Sequence, residues 1–92
     1  MNPYTVKPLT SDIQALLTDK FRKLRKAHGY TQEEMAIRSG VSLGSLKRFE
    51  HTGQISLESL LKLAHLLDRL TDFKGIFEQV EDLKRLEKLF NA

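Results

Sequence analysis

The side chains best placed to act on a partner lie between Thr31 and Glu50, in the run TQEEMAIRSGVSLGSLKRFE. Arg48 carries a guanidinium that can make two parallel hydrogen bonds to one acceptor edge. Lys47 beside it is a point charge suited to a phosphate. Ser45 can donate or accept, Leu43 offers an apolar contact, and Gly44 presents bare backbone. Acid–base, nucleophilic and metal chemistry have no comparable grouping. His28, His51 and His65 stand at no metal-ligand spacing from one another or from a carboxylate. Glu33 and Glu34 read as helix-start residues rather than a catalytic dyad, and there is no glycine-rich phosphate loop and no Ser/His/Asp signature. The sequence therefore argues against an enzyme, and no cofactor or metal is expected.

Composition narrows the setting. The chain has 92 residues, enough for one domain with a small core. A hydrophobic fraction of 40% is ordinary for a globular protein. Without cysteine there is no disulfide framework and no thiolate metal site. No run approaches the roughly 18 apolar residues of a membrane span, and MNPYTVKPLT lacks an apolar signal core, so a cytoplasmic protein is expected. The net charge of +3 is unevenly spread: residues 1–51 carry +4 and residues 52–92 carry −1. The basic half contains the Thr31–Glu50 run, as in a polyanion binder with its contact face at one end.

The elements that must position these residues read as helices throughout. Pro3 and Pro8 make residues 1–10 an extended arm, in which Tyr4, Val6 and Leu9 can pack on the body or on a partner. A first helix is predicted from about Asp12 to Ala27. Ser11 is its N-cap, with Gln14 completing a capping box. Ile13, Leu16, Leu17, Phe21 and Leu24 form its inner face, and Gly29 its stop. A second helix starts at the Thr31/Glu34 capping box, with Tyr30 and Met35 at hydrophobic-staple positions, and ends at Gly40. A third starts at Ser42, stapled by Val41 and Leu46. A fourth starts at Ser56, stapled by Ile55 and Leu60, with Leu57, Leu60, Leu61, Ala64 and Leu67 inward. A last helix is expected over Phe73 to Phe90, with Phe73, Ile76, Phe77, Val80, Leu83, Leu86, Leu89 and Phe90 in one stripe and Glu81 and Arg85 as an i,i+4 pair.

The second and third helices fit a helix-turn-helix. Ala36 permits a close crossing, Gly40 allows positive φ in the turn, and Val41, Leu46 and Phe49 anchor the third helix. Leu43, Gly44, Ser45, Lys47, Arg48 and His51 then face outward, on a helix whose width fits the DNA major groove. Arg48 is the best candidate for a two-pronged contact to guanine, and Leu43 for a thymine methyl. Lys47 suits a phosphate. Thr31 and Gln32 open the second helix, where side chain and backbone amides can hold another.

Thr31 to Glu50, with the following SLESLLKLAHLL, resembles the helix-turn-helix domain of the phage-repressor class, the Cro/C1 or xenobiotic-response-element type. The resemblance covers roughly Phe21 to Leu70 and is carried by TQEEMA, the GVS turn and the Ser-Leu-Glu-x-Leu-x-x-Leu-Ala run. It implies an all-α, five-helix lambda-repressor-like fold, in which Gln32 holds a phosphate and Ser42 to Arg48 form the recognition helix. It also implies a structural salt bridge between Arg25 and Glu50. Two departures stand out. Leu43 and Gly44 occupy positions that are often polar or basic base readers, and Gln54-Ile55 replaces the usual asparagine-proline before the fourth helix. A narrower likeness, over LKRFEHTGQISLESLLKLAHLLDRLTDF, is to antitoxin-type regulators of the HipB kind, which repress their own operon and bind a HipA-like kinase toxin.

The expected layout is a flexible arm over 1–10, a DNA-binding domain over 11–70, and a C-terminal helix over 71–92 that closes the core, dimerises or binds a partner. The expected partners are double-stranded DNA and a second copy of the chain, with the kinase toxin as the alternative. Val80, Leu83, Leu86, Leu89 and Phe90 are the candidate dimer or partner surface. The expected function is that of a repressor acting as a homodimer on a two-half-site operator.

Overall fold

A computed structural model describes residues 7–79 and 88–89. The protein is all-α: helices α1 (Thr10–Ala27), α2 (Gln32–Ser39), α3 (Leu43–Thr52) and α4 (Leu57–Leu66) are followed by a 3-10 helix, Leu70–Gly75, and there is no strand among the described residues.

Each of the three short helices opens on the hydroxyl that the sequence assigns to it. The backbone N–H of Glu34 donates to Thr31 Oγ1, that of Ser45 to Ser42 Oγ and that of Ser59 to Ser56 Oγ, each at 3.1 Å. Each bond satisfies one of the orphan donors of a helix start and contributes about 1 kcal/mol. The capping box at α2 is only half made: the Glu34 carboxylate accepts from the Thr31 hydroxyl at 3.4 Å.

α1 begins differently from expectation. Its N-cap is Leu9, whose N–H donates to Asp12 Oδ2 at 2.8 Å, and not Ser11. A charged carboxylate reaching back is a stronger partner than a serine hydroxyl, and Gln14 is engaged elsewhere. The far end closes in a Schellman arrangement, with Tyr30 N–H donating to the Arg25 carbonyl and Gly29 N–H to that of Lys26.

The core lies where α3 meets α1 and α2 and where α4 meets α2. Met35, Leu46, Phe49 and Leu63 are fully buried, ringed by Phe21, Ala36, Val41 and Leu67. The Phe21 and Phe49 rings meet edge to face with centroids 5.3 Å apart, a favoured aromatic geometry. The staple residues Tyr30, Ile55 and Leu60 pack on this cluster from its edge.

Three expectations are corrected. In α4 the inward face is Leu60, Leu63, Ala64 and Leu67, while Leu57 is 66% exposed and Leu61 half-buried. Leu63 was not expected inside. Leucines surround this helix, so two faces satisfy the same spacing, and the α2 contact chooses between them. In α1 only Phe21 and Leu24 face the core as expected. Ile13, Leu16 and Leu17 are 42%, 47% and 43% exposed, although the end of α3 reaches Gln14 in the same stretch of α1. Finally, no continuous helix starts at Phe73. The chain forms the 3-10 helix, Ile76 is extended, and Phe77 takes a left-handed φ of 62°. Gly75 has low helix propensity, and the Arg69–Asp72 bridge at 2.9 Å ties the tight turn instead. Residues 80–87 and 90–92, with Val80, Leu83, Leu86, Phe90 and the Glu81/Arg85 pair, lie outside the described residues, as do residues 1–6 with Tyr4 and Val6. Leu89 and Leu9 are exposed.

Candidate nucleic-acid interface

α3 has two faces with different work. Its inner face carries Leu46, Phe49 and Glu50, all buried. Glu50 is a carboxylate in the core and is matched by two arginines of α1. Arg25 grips it in parallel, Nε to Oε2 at 2.9 Å and Nη2 to Oε1 at 3.1 Å. Its remaining amino group, Nη1, donates to the Tyr30 carbonyl at 2.9 Å. Arg22 adds Nε to Oε1 at 3.3 Å and Nη2 to the Glu50 backbone carbonyl at 2.6 Å. Among the described residues no buried side-chain polar atom lacks a partner, the condition under which a buried charge is tolerated. Arg22 had no assigned role in the sequence, since it lies off the apolar face of α1. The network fixes the last turn of α3 against α1.

The turn before α3 is set by Gly40, at φ 78°, whose N–H closes α2 on the Ala36 carbonyl at 3.1 Å. Ser39 Oγ then accepts the Val41 N–H at 3.1 Å. Val41 is buried directly after the turn. The chain therefore enters α3 with its direction fixed at both ends.

The outer face holds Gly44, Ser45, Lys47, Arg48 and His51, all exposed. Leu43 is half-buried against the core and presents only part of its side chain, so it is not wholly outward as expected. Ser42 is exposed at the N-cap, its hydroxyl 2.8 Å from that of Ser45. A Cβ built on Gly44 meets nothing within 4 Å, and its φ is not in the left-handed region, so packing does not require glycine there. Thr31 is exposed and Gln32 half-buried at the start of α2.

Arg48 is not a free side chain. Its Nη2 donates to Gln54 Oε1 in a short hydrogen bond. Ser45, Arg48, Gln54, Ser56 and Ser59 line one shallow polar pocket between α3 and the start of α4. Gln54 and Ser59 had no assigned role in the sequence, and the signal that could have drawn attention there was the replacement at Gln54-Ile55. Gly53 was also passed over. It has φ 78°, and a Cβ on it would lie 2.7 Å from Gln14 Cβ of α1, whose amide donates to the Gly53 carbonyl at 3.3 Å.

Of the histidines, His28 stacks on Tyr30 with centroids 5.8 Å apart, and Arg38 lies 5.2 Å from the centroid of the same ring. His51 and His65 are exposed, and no metal-binding cluster of His, Cys, Asp or Glu occurs among the described residues. No helix among them is long and apolar enough to cross a membrane.

A short helix packed across a second one, closed at the turn by a left-handed glycine and bare of large apolar groups on its outer side, defines a helix-turn-helix DNA-binding domain. Residues 21–73, more than half of the chain, match the family described as Helix-turn-helix. The chain belongs to that family, in its Cro/C1-type form, a class of non-enzymatic DNA-binding domains. No curated protein and no solved structure shows significant similarity to it.

Proposed function

We propose that the protein is a sequence-specific transcriptional repressor that occupies an operator of two half-sites as a homodimer in the cytoplasm. The observation that carries this reading is the construction of α3: a buried inner face locked by Arg22, Arg25 and Glu50, and an outer face of Gly44, Ser45, Lys47 and Arg48 whose side chains, among the described residues, hydrogen-bond only to Ser42 and Gln54. In this reading Arg48 and Ser45 read base edges, the exposed part of Leu43 meets a thymine methyl, and Lys47, Thr31 and Gln32 contact phosphates. One such helix reads only a few base pairs, so a second copy one helical turn away is needed for useful affinity. Residues 11–70 form the DNA-binding unit, residues 1–10 an arm, and residues 71–92 supply the dimer or partner surface through Val80, Leu83, Leu86, Leu89 and Phe90.

The test is a binding titration on the DNA upstream of the protein's own gene against a scrambled duplex at roughly physiological salt. A preference of about a thousandfold supports a specific regulator. Equal binding to both duplexes leaves only a nonspecific, salt-sensitive binder.

A second reading is a HipB-like antitoxin that binds and neutralises a kinase toxin while repressing its own operon. It draws support from the exposed Ile13, Leu16 and Leu17 on α1, since apolar side chains grouped on one surface suit a protein partner. Co-purification of a kinase encoded beside the gene, lost on Leu16→Glu, would favour it.

A further inference from the structure

We infer that Gln54 is a positioning residue for base recognition: it holds the Arg48 guanidinium in the orientation in which Arg48 reads the DNA. This rests on the reading of α3 as the recognition helix and adds to it a residue that lies outside that helix.

The geometry is a closed ring of hydrogen bonds. Arg48 Nη2 donates to Gln54 Oε1. The Gln54 backbone N–H donates to Thr52 Oγ1 at 3.1 Å, and the Thr52 hydroxyl donates to the Arg48 carbonyl at 2.7 Å. Both ends of Gln54 are thus tied to Arg48, one through the side chain and one through Thr52. The segment that carries Gln54 is itself anchored on three sides. Gly53 closes α3 with its N–H on the Phe49 carbonyl at 2.8 Å, Gln14 of α1 donates to the Gly53 carbonyl, and Ile55 packs on the core. The backbone that carries Gln54 is thereby held beside Arg48, within reach of its guanidinium.

The consequence follows from the chemistry of arginine. Its guanidinium carries five N–H donors in a planar fork. One is taken by Gln54, and four remain for the two-pronged contact to guanine O6 and N7. A free arginine side chain loses rotamer freedom when it makes that contact, whereas one already held in place loses less. The bond also fixes the plane of the fork, which a base edge can match and a phosphate does not require. Gln54 therefore acts on sequence discrimination more than on overall attraction to DNA.

The test uses the whole chain. Duplexes enriched from a randomised double-stranded library by the natural protein identify the guanine that it prefers. Affinities for that duplex and for one with the guanine replaced are then measured for the natural protein, Arg48→Ala, Gln54→Ala and Gln54→Glu, together with salt dependence and melting curves. A bidentate guanine contact discriminates by about five- to a hundredfold. Arg48→Ala is expected to abolish the ratio. Gln54→Ala is expected to lower it at least about threefold by loosening that contact, with melting temperature and salt slope unchanged. Gln54→Glu keeps the acceptor and is expected to keep the ratio, while its added negative charge weakens binding to both duplexes. If Arg48→Ala loses the ratio and Gln54→Ala keeps or raises it, the role of Gln54 is overturned and the reading helix stands. If the natural protein shows no guanine preference, or Arg48→Ala retains it, the assignment of the reading face fails and the inference fails with it.

Discussion

Arg25 and Glu50 face each other in parallel, two nitrogens on two carboxylate oxygens at 2.9 and 3.1 Å, and both residues are more than 90% buried. Removing one side of such a pair leaves an uncompensated charge in the core, at a cost of about 3–5 kcal/mol. Arg25→Ala is therefore expected to lower stability by about that much in urea unfolding. Arg22→Ala, at the half-exposed edge of the network, is expected to cost about 1 kcal/mol or less. Equal losses from the two variants would contradict the division of labour between the arginines.

The corrected face of α4 makes its own prediction. Leu63→Ala empties a fully buried site and should destabilise by about 2–5 kcal/mol. Leu57→Ala, six residues earlier and mostly exposed, should stay within about 0.5 kcal/mol. Thermal melts of the two variants check which leucines face inward.

Gly40 and Gly53 share the same left-handed backbone, both at φ 78°. Alanine at Gly40 meets open space and should cost only the left-handed penalty of about 1–2 kcal/mol. Alanine at Gly53 adds a collision with Gln14 Cβ and should cost measurably more. The difference between the two melting temperatures reports the close approach of α1 to the end of α3.

Gly44 has no packing reason to be glycine, so Gly44→Ala should raise stability by up to about 1 kcal/mol through helix propensity. If α3 enters the major groove, the added methyl occupies space next to the DNA, and affinity should fall. A variant that is both more stable and tighter-binding would remove Gly44 from the interface.

On DNA, Arg48→Ala should cost about 1–3 kcal/mol on the preferred duplex and relax sequence choice. Lys47→Ala should weaken all sequences alike and reduce the salt slope by about one. Titrations at several salt concentrations separate the two behaviours.

Much of the fold was legible because it is locally encoded. Thr31, Ser42 and Ser56 are strong caps, each flanked by a staple, and each starts a helix one residue later. What was not legible depends on long-range choices. The leucines around α4 satisfy two faces at one spacing. Ser11 is a good cap by residue type, yet α1 starts from Leu9, because the Asp12 carboxylate three residues downstream accepts the Leu9 N–H. The stripe from Phe73 onward has helical spacing, yet the tight turn tied by Arg69 and Asp72 ends at an extended Ile76. At the candidate site the outward residues of α3 followed from the inward ones. Gln54 did not: the replacement at Gln54-Ile55 marks the position, but only the folded loop brings its side chain to the arginine of the preceding helix.

The clamp on Glu50 has one more consequence. Among the described residues, α3 is held through its inner side, through the turn and Ser42 cap before it, and through its last turn and the loop that follows. Gly44, Ser45 and Lys47 contribute almost nothing to that attachment, and could be exchanged for other residues while the scaffold stays as it is. The domain is thus a holder with a replaceable face: if α3 reads DNA as proposed, its binding preference can change by substitution at a few surface positions that the scaffold does not depend on.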